Sequence, residues 1–154
     1  MTSIQLSIVI PARNEEASIG RLLHRISELH QAAEVLVVND ASVDQTGQIA
    51  AAAGARVISH PYAKGNGAAI KTGARAASGK VIVFMDADGQ HSPEDIARLL
   101  ERIDAGADMA IGARDAASQA GLFRHTANWF YNLIASWVTG LRLQDLTSVF
   151  LAVN

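Results

Sequence analysis

Two hydrophobic rhythms alternate along the chain. Short, nearly unbroken apolar runs stand at 4–11 ("IQLSIVIP"), 33–40 ("AEVLVVND"), 56–60 ("RVISH") and 80–85 ("KVIVFM"), with a weaker one at 107–114 ("ADMAIGAR"). Runs of this length and β-branched content predict buried strands, and Pro11 is expected to stop the first of them. Between them the apolar positions return at helical spacing. In "EEASIGRLLHRISELH" these are Ile19, Leu22, Leu23, Ile26 and Leu29, one stripe of an amphipathic helix. "ASVDQTGQIAAAAGA" (41–55) predicts a second helix, with Ser42 and Gln45 in capping-box spacing and Gly54 as its stop. "GNGAAIKTGARAASG" (65–79) predicts a third, closed by Gly79, and "SPEDIARLLERIDAG" (92–106) a fourth, with Ser92 as cap and Pro93 in the first position.

Strands and helices alternating at this pace predict an α/β fold whose mostly parallel sheet carries helices on both faces. Such sheets bind ligands beyond the carboxyl ends of their strands. Arg13-Asn14-Glu15, Asn39-Asp40, Asp86-Ala87-Asp88 and Gly112-Ala113-Arg114 all fall at those ends.

The last third has a different character. Five of the eight aromatic residues lie between Phe123 and Trp137, within a stretch (119–141) whose apolar stripe predicts an amphipathic helix. Its Trp and Tyr content fits either core packing or the headgroup level of a membrane.

With 154 residues the chain fits a single domain, 1–154. A net charge of -2 offers no basic footprint for nucleic acid, and the absence of cysteine excludes thiolate metal sites and fits a reducing compartment. The opening Met1-Thr2-Ser3 lacks a basic region, and no apolar run approaches the ~20 residues of a membrane span. The expected location is cytoplasmic, peripheral on the inner face of the membrane.

Several motif readings fail on spacing. The stretch "KGNGAAIKTG" has Ile70 where a P-loop needs glycine before Lys71-Thr72, and the same Ile70 breaks a dinucleotide fingerprint starting at Gly65. What remains is a turn into a helix whose first amides face outward to an anion, against the plainer reading of a loop-to-helix turn. Asp86-Ala87-Asp88 is no calcium hand, because Gly89 comes at the fourth position and Ala97 stands at the twelfth. It does fit a hard-cation site: Asp86, Asp88 and the Gln90 carbonyl place oxygen donors on one short turn, and Mg²⁺ or Mn²⁺ completes its shell with water and substrate phosphate. Two carboxylates ~4 Å apart repel by roughly 4 kcal/mol at an effective dielectric of ~20. Either solvent or a cation must relieve that. His24, His30 and His60 are expected at the surface, and His91 beside the acidic loop.

Together, "SIVIPARNEEASI", "VLVVNDASVDQTGQIA", "KGNGAAIKTGARAASGKVIVFMDADGQHSPEDI", "IGAR" and "LQDLTSVF" resemble the family 2 glycosyltransferases of the GT-A fold, with a Rossmann-like sheet. The branch resembled is that of dolichyl-phosphate mannose synthases and polyprenyl-phosphate glycosyltransferases. The resemblance implies nucleotide contacts at Pro11, Arg13 and Glu15, and base and ribose positions at Val38 and Asp40. It implies that Asp86, Ala87, Asp88 and Gln90 form the acidic motif where metal and diphosphate meet. Arg114 matches an arginine on the sugar nucleotide, and 119–141 matches the region leading from the acceptor loop, with Arg124 as a phosphate contact. In "DLTSVFLAV", Val149 and Leu151 replace a glycine and an arginine usual in the family, and Asn39 stands where an aspartate is common. The chain looks like a shortened catalytic domain.

The resemblance implies inverting transfer of a hexose from a nucleotide diphosphate sugar (GDP-mannose or a UDP-hexose) to a polyprenyl phosphate. A phosphate monoester has its second pKa near ~6, so this nucleophile is already largely ionised at neutral pH and needs no strong base. The site must then position and neutralise charge, through a metal held by Asp86 and Asp88, through Arg114, and through Lys71 or Arg124. A sugar hydroxyl as acceptor, soluble or in the cell envelope, would need a carboxylate base, for which Asp145 is the candidate. A relative that holds the nucleotide without transferring sugar is the remaining reading.

Overall fold

The computed structural model describes residues 6–112 and 150–154. Arg114, Arg124, Asp145, Val149 and the expected helix at 119–141 lie outside the described residues.

The elements run β1 (Leu6–Ala12), α1 (Ile19–Leu29), β2 (Glu34–Asn39), α2 (Thr46–Ala52), β3 (Arg56–Ser59), α3 (Asn66–Ala76), β4 (Val81–Phe84), a 3-10 turn (Pro93–Asp95), α4 (Ile96–Asp104), β5 (Met109–Ile111) and β6 (Leu151–Val153). They form one six-stranded sheet in the order β3-β2-β1-β4-β6-β5. β1 pairs in parallel with β2 and β4, and β2 with β3. β6 is antiparallel to both of its neighbours, so β5 again points the same way as β4. Helices cover both faces, as the alternation predicts. Ile8 and Ile10 of β1 pack with Ile19, Leu22, Leu23 and Ile26 of α1, Ala50 of α2 and Ile96 and Leu99 of α4. Val9, Leu36, Val38 and Phe84 point the other way, under Ala69 of α3. This is the period-two alternation of a sheet buried on both sides.

Four local expectations change. Pro11 does not end β1, because its ring nitrogen has no ladder bond to lose. Val9 O accepts from Met85 N at 3.1 Å and Ala12 O from Asp40 N at 2.9 Å, so Pro11 faces the β4 side, beyond the Val9–Phe84 pair where that ladder stops. α2 begins at Thr46, and Ser42 is no cap: its hydroxyl accepts instead from Asn14 N at 3.0 Å. Ser92 likewise caps no backbone amide; its hydroxyl donates to Glu94, whose carboxylate also meets Arg25 of α1 at 2.5 Å. β6, finally, has no counterpart in the strand reading above, where Leu151 figured only as a departure from a family motif.

At the amino ends of the strands a single carboxylate ties four elements together. Glu34, at the start of β2, accepts from Ser7 Oγ at 2.6 Å, from Ser78 N at 2.8 Å beyond α3, and from Arg56 Nη1 of β3 at 3.3 Å. Burial pushes its carboxyl up, but these bonds outweigh it and hold the folded value below the ordinary one. A depressed carboxyl contributes stability that is fully present above its unfolded value and lost as pH falls through the folded one. Glu34→Gln is therefore expected to cost about 1.5–3 kcal/mol at neutral pH, the range for bonds to a charged group. The gap between mutant and wild-type thermal unfolding should close on acidification below pH ~4.3, the ordinary glutamate value. A gap that persists unchanged into acid would refute the assignment.

Candidate active site

β1 leads through α1 to β2 on one side, while β4 lies on β1's other side. The crevice between strands whose connections depart in opposite directions is where open α/β sheets bind ligands. A cavity of about 340 Å³ opens there, lined by Pro11, Ala12, Arg13, Glu15, Asp40, Gly65, Asn66, Ala69, Asp86, Ala87 and Asp88. Its size lies at the lower end for small-molecule sites.

Three loops build the walls. The loop after β1 is locked to the loop after β2 by reciprocal bonds. Val43 N donates to Asn14 Oδ1 at 2.9 Å and Glu15 N to Thr46 Oγ1 at 2.8 Å. Glu16 N donates to Asp44 Oδ2 at 3.1 Å, and Gln45 N returns a bond to Glu16 Oε2 at 3.1 Å. Asp44 Oδ1 also accepts from the amide and hydroxyl of Thr46, at 3.0 and 2.5 Å. Burial pushes the Asp44 carboxyl up, and the bonds from Thr46 and Glu16 bring it below the ordinary value. The clasp holds Asn14 and Ala41 in the left-handed region, each at φ 56°. Asparagine tolerates that conformation; alanine does not, at a cost of about 1–2 kcal/mol.

Asp40 forms the floor on the β2 side and is 4% exposed. Its Oδ1 accepts from His60 Nδ1 at 2.7 Å and Lys64 N at 2.8 Å, and its Oδ2 from Gly65 N at 2.8 Å. Burial raises its carboxyl, and the bonds from His60, Lys64 and Gly65 more than reverse that, leaving it below the ordinary aspartate value. A carboxylate has roughly four lone-pair directions. Among the described residues three are taken by protein donors, which leaves one on Oδ2 for a ligand. Gly65 turns the chain into α3 at φ 89°, open to glycine and strained for any other residue.

The third wall is the acidic loop after β4. Asp86 is half-buried, Ala87 buried and Asp88 exposed. Gln90 N donates to Asp88 Oδ1 at 3.0 Å, an Asx turn that folds the loop back on itself. Downstream the loop is held by His91, whose ring stacks on Phe150 just before β6 with centroids 4.9 Å apart, and by His30 Nε2 at 3.1 Å from Pro93 O.

The structure thus gathers Pro11, Arg13, Glu15, Asp40, Asp86, Ala87 and Asp88 around one space. It does not bring three other expected residues into the lining. Val38 is fully buried in the core beneath α3, Lys71 is exposed on α3, and Gln90 is exposed at the loop edge. His60, expected at the surface, is 7% exposed. It, Asp44 and Thr46 are the residues that sequence reasoning missed, while Asn14, already placed at a strand end, turns out to bond across to the loop after β2. Only the Asp44-x-Thr46 pattern of an Asx turn offered a signal for any of them.

Charge decides what this cavity can hold. Its described lining carries Glu15, Asp40, Asp86 and Asp88 against Arg13 alone. A diphosphate would meet net repulsion there unless a cation came with it. The donor set at Asp86 and Asp88 consists of carboxylate oxygens on one short turn, the chemistry preferred by Mg²⁺ and Mn²⁺. The residues present fit such an ion.

Comparison with known proteins agrees with this fold. The family model "Glycosyl transferase family 2" matches residues 7–152. An undecaprenyl-phosphate 4-deoxy-4-formamido-L-arabinose transferase of Photorhabdus laumondii is 34% identical over 151 residues, covering 92% of this chain and 46% of that protein. A Pseudomonas aeruginosa protein of the same name is 34% identical over 152 residues, covering 91% of this chain and 44% of its own. The chain spans less than half the length of these two relatives. Among solved structures, the glucosyl-3-phosphoglycerate synthase of Mycobacterium tuberculosis in complex with Mn²⁺ and UDP-glucose superposes with a TM-score of 0.78 at 28% identity, over 97% of this chain and 56% of that one.

Proposed function

The chain belongs to glycosyl transferase family 2 and has the GT-A architecture, and from that premise we propose that it binds a nucleotide diphosphate sugar in the β1–β4 cavity and transfers the hexose, with inversion, to a polyprenyl phosphate. The observation that supports the reading is the acidic lining just described, whose charge favours a pyrophosphate that arrives together with a divalent ion. Asp86 and Asp88 would hold Mg²⁺ or Mn²⁺. When bound, such an ion stabilises negative charge on a departing diphosphate.

The remaining residues bind and orient. Arg13 supplies the lining's cationic donors, Glu15 and the open lone pair of Asp40 accept from ribose or base, and Gly65 and Asn66 present the amino end of α3, where partial positive charge favours an anion. Similarity to undecaprenyl-phosphate transferases supports a polyprenyl-phosphate acceptor. Arg114, Arg124 and Lys71 are proposed for the acceptor phosphate and leaving group, and Asp145 as base if the acceptor is a hydroxyl. The region 119–141 is proposed as the acceptor-side helix of a single catalytic domain, 1–154. No helix of the described residues is long and apolar enough to cross a membrane, and contact with the inner face of the membrane is proposed to be peripheral.

A second reading has its own support: the solved neighbour was also crystallised with phosphoglyceric acid, a soluble acceptor bearing a phosphate. One experiment separates the two. UDP-, GDP- and dTDP-hexoses are screened with Mn²⁺ by thermal shift, and the stabilising donor is then incubated with undecaprenyl phosphate or with 3-phosphoglycerate. Sugar appearing on the lipid supports the proposal, and sugar appearing only on the soluble phosphate selects the second reading. A donor that binds but is never consumed indicates a nucleotide-holding relative.

A further inference from the structure

We infer that His60 is a positioning residue of the nucleotide cavity: it aims the Asp40 carboxylate and, through it, sets the Lys64–Gly65 wall from which α3 departs. The inference rests on the proposed reading only in naming the cavity's ligand.

His60 does not line the cavity. It stands just beyond β3, behind Asp40, with its amide donating to Asn39 O at 2.9 Å. Its ring spans two elements, Nδ1 lying 2.7 Å from Asp40 Oδ1 and Nε2 2.9 Å from Thr72 Oγ1 on α3. The chemistry of the partners assigns the proton. An ionised carboxylate only accepts, so Nδ1 carries hydrogen toward Asp40, while the Thr72 hydroxyl, able to donate or accept, holds Nε2. The hydroxyl fixes the ring and the ring fixes the carboxylate.

Among the described residues that carboxylate has three donors, and only His60 is a side chain. The other two are amides of the very loop that Asp40 holds, so they cannot anchor it independently. Without the imidazole, Asp40 would keep its burial and lose the donor that sets its rotation. Oδ1 would then be shared between the loop and whatever water enters, and the single acceptor direction on Oδ2 would no longer have a fixed aim. A buried polar chain of this kind specifies one arrangement when every member is satisfied.

Asparagine and glutamine distinguish positioning from mere filling of space. The Asn side-chain amide reaches the place of Nδ1, whereas the Gln amide reaches toward that of Nε2. The test uses the full chain, with UDP and GDP, each with Mn²⁺, as probes. His60→Gln is expected to speed hydrogen exchange of the Lys64 and Gly65 amides by about tenfold or more while β1 core amides keep their protection. It should also weaken the Kd of whichever probe binds wild type by about tenfold, the loss of one charge-assisted bond. His60→Asn should stay near wild type in both. Exchange unchanged in His60→Gln, or His60→Asn as impaired as His60→Gln, overturns the inference. In wild type, nitrogen NMR should find a proton on Nδ1; a ring whose Nδ1 carries none overturns it whether or not either variant folds. If wild type binds neither probe, the proposed function falls, and exchange and tautomer still decide the role of His60.

Discussion

Asp88→Ala is expected to abolish the stabilisation that Mn²⁺ and the cognate nucleotide sugar confer together, with no comparable loss in the unliganded protein. Asp88 is exposed, and the structure gives its side chain one local bond, from Gln90 N. Its removal should therefore shift intrinsic stability by no more than about 0.5 kcal/mol, as for most surface positions. The ligand effect is much larger. A ligand at ~100 times its dissociation constant stabilises by ~2.7 kcal/mol, which for a domain of this size corresponds to a rise of about 5–10 °C in Tm. Without Asp88, Asp86 is left as the one carboxylate of the pair, and the diphosphate faces Glu15, Asp40 and Asp86 with a weakly held ion. Turnover should fall about 10²–10³-fold, as when a charge-stabilising group is removed from other active sites. The check is thermal shift with and without Mn²⁺ and nucleotide sugar, followed by a transfer assay. An equal Tm rise in mutant and wild type would dismiss the ion from this loop.

Gly73→Ala is expected to be the most damaging single-methyl change in α3. A Cβ built at Gly73 would lie 2.2 Å from Val9 Cγ1 and 3.3 Å from Val38 Cγ2. Both valines are fully buried, and a β-branched side chain on a strand has few rotamers to escape into. Two effects oppose each other. Alanine favours a helix over glycine by about 1 kcal/mol, whereas overpacking a tight core costs about 1–3 kcal/mol and occasionally more. Contact at 2.2 Å belongs at the severe end, so the clash wins and the net loss is about 2 kcal/mol, or about 4–8 °C in Tm. Lifting α3 also moves Asn66, Ala69 and Thr72, so nucleotide affinity should fall with stability. Gly67, in the same helix, has nothing within 4 Å of its built Cβ, and Gly67→Ala serves as the control, expected to lose no stability. If both variants melt alike, α3 is not seated on β1 as described.

How much of this could be read from the chain varies with the range of the interaction. β1 to β4 and their helices follow from apolar runs and helical stripes, because burial on both faces of a sheet imposes a pattern on each segment by itself. The acidic loop was legible for a similar reason: Asp86 and Asp88 are neighbours along the chain, and their repulsion is a local fact. Helix starts were less legible. Ser42 and Ser92 have the composition of caps, yet other partners, the distant Asn14 and the adjacent-turn Glu94, take their hydroxyls. Pro11 was misread because a proline forbids a donor only where a donor is needed, and that depends on how far β4 extends.

By itself, then, the amino-acid order determined the layered α/β class, the run of elements as far as β5, the rim on which the cavity opens, and the acid pair that suits a hard cation. All of these depend on periodicity or on residues adjacent in the chain. Tertiary structure alone decided that β6 enters antiparallel between β4 and β5. It also decided that His60 is buried against Asp40, 20 residues away, and that Asn14 and Asp44 lock two loops together. Those contacts join residues whose separation in sequence carries no signal. Only the closing of the sheet, which brings the ends of β1, β2, β3 and β4 to one rim, sets them within reach of a hydrogen bond.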